Sequence, residues 1–141
     1  MKLLLKGTLT LLLIQFCFLS YGQTVTQQLT AEEIANRVAY VHGSDFVSNY
    51  PHLVEAYGKV MTERIEFRTM VQNQDEKYPL LSSIPLMAKV NPSIQGANFE
   101  NFHLESFNPM VYDLEFFSDR TQILRIDNTS YIMVIKPITR N

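Results

Sequence analysis

The stretch that most constrains this chain is Met110 to Pro137, MVYDLEFFSDRTQILRIDNTSYIMVIKP. Side chains alternate between the two faces of a strand, so a one-residue slip would move an entire apolar set to the wrong side. Tyr112, Leu114 and Phe116 share one face of a first run, and Leu124 and Ile126 share one face of a second. A three-residue loop ending at Thr121 pairs Phe116 with Leu124 and Leu114 with Ile126, and it sets Glu115 across from Arg125 as an opposite-charge pair. A turn at Asn128-Thr129 then places Ile126 opposite Tyr131 and Leu124 opposite Met133. The last run, Tyr131 to Ile135, is apolar at every position and reads as a strand covered on both faces.

Upstream, helical spacing replaces strand alternation. Thr30 and Glu33 form the capping-box spacing, Ile34, Val38 and Val41 recur on one face, and Gly43 supplies the stop. These signals predict a first helix over Ala31 to His42. A second opens at Pro51, where the missing N–H costs nothing, and carries Leu53, Tyr57, Val60 and Arg64 in line. Its broad apolar face makes it the expected cover over the last strand. Gly58 within it allows a close approach by a neighbour. Ile65, Phe67, Thr69 and Val71 alternate with polar residues and Met70, so Ile65–Val71 reads as a strand, with helix as the alternative. Gln72 to Lys77 reads as loop. The prolines at 79, 85, 92 and 109 exclude a long helix or a central strand between Tyr78 and Asn108. The expected architecture is α+β: two N-terminal helices packed on a C-terminal antiparallel meander of three or four strands.

The amino terminus reads as a secretory signal. Lys2 and Lys6 precede an apolar run from about Leu9 to Leu19, and Ser20-Tyr21-Gly22 has the spacing of a cleavage site. The run is shorter than the ~18–20 residues a membrane-spanning helix needs. Ile14-Gln15-Phe16 before Cys17 is not the small-residue context of a lipobox. The domain reading is therefore a signal over 1–22, a flexible lead-in over 23–29, and one domain over 30–141, exported to the periplasm or secreted.

Removing 22 of 141 residues leaves 119. It also removes the single cysteine and two of the 12 basic residues, leaving ten against 14 acidic, a net charge of −4. A mildly acidic chain without a basic face is a poor nucleic-acid binder. Without cysteine there is no disulfide, thiol nucleophile or thiolate ligand, so the apolar core alone must hold the domain. No membrane span remains after cleavage.

No catalytic or metal site is assigned, and the sequence calls for no cofactor. His42, His52 and His103 lack metal-binding spacing. Glu63 and Glu66 lie i, i+3 apart and would form a carboxylate pair if the second helix reached that far, the basis of a hydrolase alternative. A solvated mixed-charge face with Arg64 and Arg68 explains them as well. Asp113 facing Asp127 beside Asn128 could offer oxygen ligands to a hard cation, although a turn there would separate them. Asn128-Thr129-Ser130 matches a glycosylation sequon, which turn chemistry also explains. There is no glycine-rich phosphate loop and no G-x-S-x-G nucleophile turn.

The densest polar and aromatic cluster is Asn98-Phe99-Glu100-Asn101-Phe102-His103, followed by Phe107-Asn108. Aromatic faces beside amides grip sugars or extended peptides, and equally they anchor an irregular segment to a core. Phe99, Phe102, His103 and Phe107 are the candidate binding residues. The expected function is an exported, non-enzymatic interaction or envelope-accessory protein. Its expected partner is an envelope protein, a peptide or a glycan, and a glycan- or peptide-binding module is the alternative.

The signal ending in Tyr21-Gly22-Gln23, the segment Glu76-Lys77-Tyr78-Pro79-Leu80-Leu81-Ser82, Phe107-Asn108-Pro109 and Arg125-Ile126-Asp127-Asn128-Thr129 resemble a group of small exported proteins from Bacteroidota. The resemblance implies export and a shared fold. It implies no activity and no catalytic residue.

Overall fold

The computed structural model describes residues 23–70 and 77–139. The expected export signal, Cys17, and the span from Val71 through Glu76 lie outside the described residues. The first helix, α1, is Ala31–His42, and its start follows the predicted box: Thr30 Oγ1 accepts from the Glu33 N–H at 3.2 Å while the Glu33 carboxylate accepts from the Thr30 N–H at 2.7 Å. Gly43 ends it at φ 91°, in the range that favours glycine, with its N–H returned to the Ala39 carbonyl. A short helix, α2 (Ser44–Asn49), turns the corner, and α3 (Pro51–Lys59) begins at the expected proline.

Helix α3 does not stop cleanly. A wider π turn, Val60–Arg64, follows it and delivers the chain to Ile65 in extended conformation. Val60, Met61 and Ile65 are all buried. Gly58 packs on α1, where an added Cβ would stand 3.1 Å from Ile34 Cδ1. The close approach expected of this glycine is therefore made to the first helix.

The sheet has four antiparallel strands: β1 (Thr24–Val25), β2 (Ile65–Thr69), β3 (Gln122–Arg125) and β4 (Tyr131–Ile135), in the order β1-β2-β4-β3. The chain is thus a mixed α+β fold with its helices mostly N-terminal and most of its sheet C-terminal. The predicted register holds at its centre, with Leu124 opposite Met133, and Ile126 bonds through its N–H to the Tyr131 carbonyl. Ile65–Thr69 is a strand, as its alternation requires, and it pairs with β4 through Phe67 opposite Met133.

One sheet face carries Ile65, Phe67, Leu124, Met133 and Ile135, which join Val38, Val41, Val60 and Met61 in a single buried cluster. Burying each such side chain stabilises the fold by ~1.5–3 kcal/mol before chain entropy is subtracted. The helices cover this face, and the expectation that the second helix would cover the other face needs correction. Val134, on that other face, lies outside the cluster, flanked across the ladder by Glu66 and Ile123. Glu66 is bonded there to Lys136 and Arg68 at 2.8 and 2.7 Å.

A second correction concerns Tyr112 to Phe117, which is not a strand. Leu114 donates to the Tyr112 carbonyl and Phe116 to the Leu114 carbonyl, both at 2.9 Å, so the chain turns on itself every two residues. It cannot join the ladder because the outer edge of β3 is already occupied. The Arg125 N–H donates to the Pro79 carbonyl, Leu80 bridges Arg125 in parallel, and Arg125 Nε donates to the Tyr78 carbonyl. The Glu115–Arg125 pair therefore does not form. Instead the Gln122 amide reaches the Glu115 backbone, donating to its carbonyl at 2.8 Å and accepting from its N–H at 3.3 Å. Asp127 accepts from the Ser82 N–H and hydroxyl, and Asp113 belongs to the turned segment, its N–H on the Pro85 carbonyl. Asp113 and Asp127 thus belong to separate segments with separate hydrogen bonds, and among the described residues no group of three or more His, Cys, Asp or Glu could hold a metal ion.

Candidate functional site

The irregular segment folds against α1 and leaves a cleft of about 260 Å³. Two tyrosines set its shape. The Tyr40 hydroxyl on α1 accepts from the Gln95 N–H at 3.3 Å, and the Tyr40 carbonyl accepts from Asn91 Nδ2 at 2.8 Å. The buried Tyr112 hydroxyl accepts from the Ala97 N–H at 2.9 Å, and burial pushes this phenol above its usual range, so it stays neutral. Between them Gly96 passes close to the Tyr112 oxygen, 3.3 Å from where a Cβ would sit. Asn98 then folds the chain in an Asx turn, its Oδ1 accepting from the Glu100 and Asn101 N–H groups.

The floor is aromatic. Phe107 is buried and packs on Phe67 of the sheet at 6.0 Å between ring centroids, and on Phe102 at 5.3 Å. The half-buried Phe102 ring thus extends the core into the cleft. Asn98, Asn101, His103, Ser106 and Asn108 complete the lining with Tyr40, Gln95 and Val111.

A polar node behind the floor holds the rim. Gln27, only 5% exposed, donates through Nε2 to the Leu104 carbonyl at 2.6 Å and the Phe107 carbonyl at 2.8 Å. Its Oε1 accepts from Arg37 at 2.9 Å, and Arg37 also donates to the Phe107 and Glu105 carbonyls. Burial lowers the Arg37 pKa and the Glu33 charge works against that shift. Asn108 returns a bond from Nδ2 to the Arg37 carbonyl and caps the Pro109–Val111 turn through Oδ1. The segment 23–29, expected as a flexible lead-in, carries both β1 and this node.

Of the candidate residues, Phe102, His103 and Phe107 come together in the cleft. Phe99 does not line it; half-buried, it packs against the core. Tyr40 and Gln95 carried no signal, because a helix-face tyrosine and a loop glutamine acquire a role only when the segment folds back. The carboxylate pair is not assembled: the helical path ends at Arg64, so Glu66 lies on β2 and shares no helix face with Glu63. Hydrogen bonds from Lys136 and then Arg68 hold the Glu66 carboxyl below its usual range, the reverse of what a general acid needs. Among the described residues no group of three or more His, Cys, Asp or Glu is placed to hold a metal ion. In the cleft, Ser106 donates to the backbone carbonyl of His103, so its hydroxyl is not paired with the imidazole. His42 lies elsewhere, stacked on Phe46 at 4.6 Å and Tyr57 at 5.6 Å, with its pKa lowered by burial.

Comparisons of the chain with models of protein families, with curated proteins and with solved structures return no match.

Proposed function

We propose that this chain is an exported, non-enzymatic binding protein whose cleft takes an uncharged saccharide. One observation carries the reading: the lining combines an aromatic floor with amides, hydroxyls and an imidazole, and contains no Asp, Glu, Lys or Arg. A sugar ring presents apolar C–H surface to an aromatic face and hydroxyls to its edges. Asn and Gln amides both donate and accept, so one residue can satisfy either role of a hydroxyl. A charged ligand would leave its charge without a counter-ion here, which is costly away from water. The volume, below the ~300–1,000 Å³ of drug-sized sites, matches a single ring or chain end.

The non-enzymatic reading is supported by the Ser106 hydroxyl, bonded to the His103 backbone carbonyl and not to its imidazole, and by the position of Glu66 on β2, outside the cleft lining. Export is supported by Lys2, Lys6, the apolar run and the small-x-small site ending at Gly22. Sequencing the amino terminus of protein recovered from the source envelope tests this, with Gln23 as the expected first residue.

Binding is tested by titrating neutral and anionic saccharides into isotopically labelled protein and following amide shifts. The expected result is perturbation with neutral sugars that is largest at the lining residues, Tyr40 and 95–111, with binding weakened at least tenfold by Phe102→Ala. Equal response to anionic sugars, or binding unaffected by Phe102→Ala, would refute the assignment.

A further inference from the structure

We propose that the strap Gln23–Leu29 gates this cleft, with Gln27 as the latch. The ligand part of the inference rests on the saccharide reading; the mechanical part does not. Apart from the tyrosine Tyr112, Gln27 is the one buried polar side chain among the described residues, and both its amide hydrogens are committed to rim carbonyls. Its release would leave the Leu104 carbonyl without this donor and Phe107 held by Arg37 alone.

The strap's grip on the sheet is slight by comparison. It consists of Thr24 opposite Arg68, Val25 opposite Phe67, and a bond of 3.4 Å from the Thr69 N–H to the Gln23 carbonyl. An edge strand this short opens locally at much lower free energy than the central ladder. Strap and cleft also meet at a second point. Val25 pairs with the Phe67 backbone, and the Phe67 ring packs on Phe107, the floor of the cleft. Docking of the strap therefore fixes the floor by two independent routes, the Gln27 amide and the Phe67 ring.

Coupling of this kind is reciprocal. A ligand that presses on Phe102 and Phe107 favours the docked strap, and a docked strap favours the ligand. Occupancy of the cleft is thereby transmitted to the edge of the sheet at β1.

The test compares the intact protein with Val25→Pro, which removes a backbone donor within β1, and Gln27→Glu, which keeps the acceptor for Arg37 but removes both donors to the rim. Amide hydrogen exchange is read at Phe107 and Met110, with Met133 as the reference for the sheet. Both variants are expected to speed exchange at Phe107 at least tenfold while Met133 is unchanged, and neutral-sugar affinity is expected to fall by a similar factor. Bound sugar should slow exchange at Val25 in the unmodified protein. Unchanged Phe107 exchange in both variants overturns the gate, as does equal acceleration at Met133, which would mark a general loosening. If no sugar binds the unmodified protein, the saccharide reading fails and the exchange comparison still decides the gate.

Discussion

Replacing Gly58 by alanine sets two opposing effects against each other at the contact between α1 and α3. Glycine in a helix costs about 1 kcal/mol relative to alanine, so on propensity alone the substitution stabilises. The added Cβ, however, would stand 3.1 Å from Ile34 Cδ1 and 3.2 Å from Cγ2. Cδ1 can swing aside, because Ile34 borders an open groove of about 380 Å³ between the helices. Cγ2 cannot follow it, since its place is fixed by a χ1 that a helical isoleucine scarcely varies. Overpacking of this kind costs ~1–3 kcal/mol, which leaves Gly58→Ala destabilising by up to ~2 kcal/mol. In an Ile34→Ala background the obstruction is gone and the same change should stabilise by about 1 kcal/mol. Urea denaturation of the four proteins, analysed as a double-mutant cycle, should give a coupling of ~1–3 kcal/mol. A coupling below ~0.5 kcal/mol would show that the helices do not meet at this pair.

Phe67→Ala, at a fully buried residue shared by the sheet core and the cleft floor, should cost ~3–5 kcal/mol in urea denaturation and loosen Phe107. His42 has its pKa lowered by burial from 6.5, so the folded state binds fewer protons than the unfolded chain. Stability should accordingly fall as pH drops below about 6.5 and stop falling once the folded imidazole is protonated; His42→Phe should flatten that slope in melts between pH 5 and 7.5. The Glu66 carboxyl is held low, by Lys136 first and Arg68 second. Its contribution is present above about 4.5 and lost as pH falls through the lower folded value, so Glu66→Gln should destabilise at pH 7 by under ~1 kcal/mol and converge with the parent in acid. Asn128 sits at φ 56° in the β3–β4 turn; Asn128→Ala should lower stability by ~1–2 kcal/mol and Asn128→Gly should not, as thermal melts would report.

Much of the frame was legible because its signals are local. The Thr30–Glu33 box, Gly43 and Pro51 each act within a turn of the chain, and they set α1 and the start of α3. The Leu124–Met133 register followed from a short turn joining the run through Leu124 and Ile126 to the fully apolar last run. Tyr112 to Phe117 misled because alternation reports which side chains are buried. It does not report whether the backbone has a ladder partner, and here Tyr78–Leu80 took that edge first. The π turn Val60–Arg64 carried no pattern that separates it from an ordinary helical end, and so a helix long enough to pair Glu63 with Glu66 stayed open as the alternative to a strand. In the cleft, the run from Asn98 to Asn108 supplied the aromatic floor and most of the amides. Its other wall, Tyr40, comes from α1, and its rear support, Gln27, from the strap, so neither was readable in that segment.

The Gln122 side chain has a consequence for how copies of this protein behave in concentrated solution. By bonding the Glu115 N–H and carbonyl together it occupies one end of β3, while Tyr78–Leu80 occupies the other. Across the sheet, β1 offers only two residues. Among the described residues neither margin presents a long row of free amides, so the sheet has little template on which a second molecule could add a strand. On the β3 side, that protection would rest on a single glutamine amide and a proline-bearing loop.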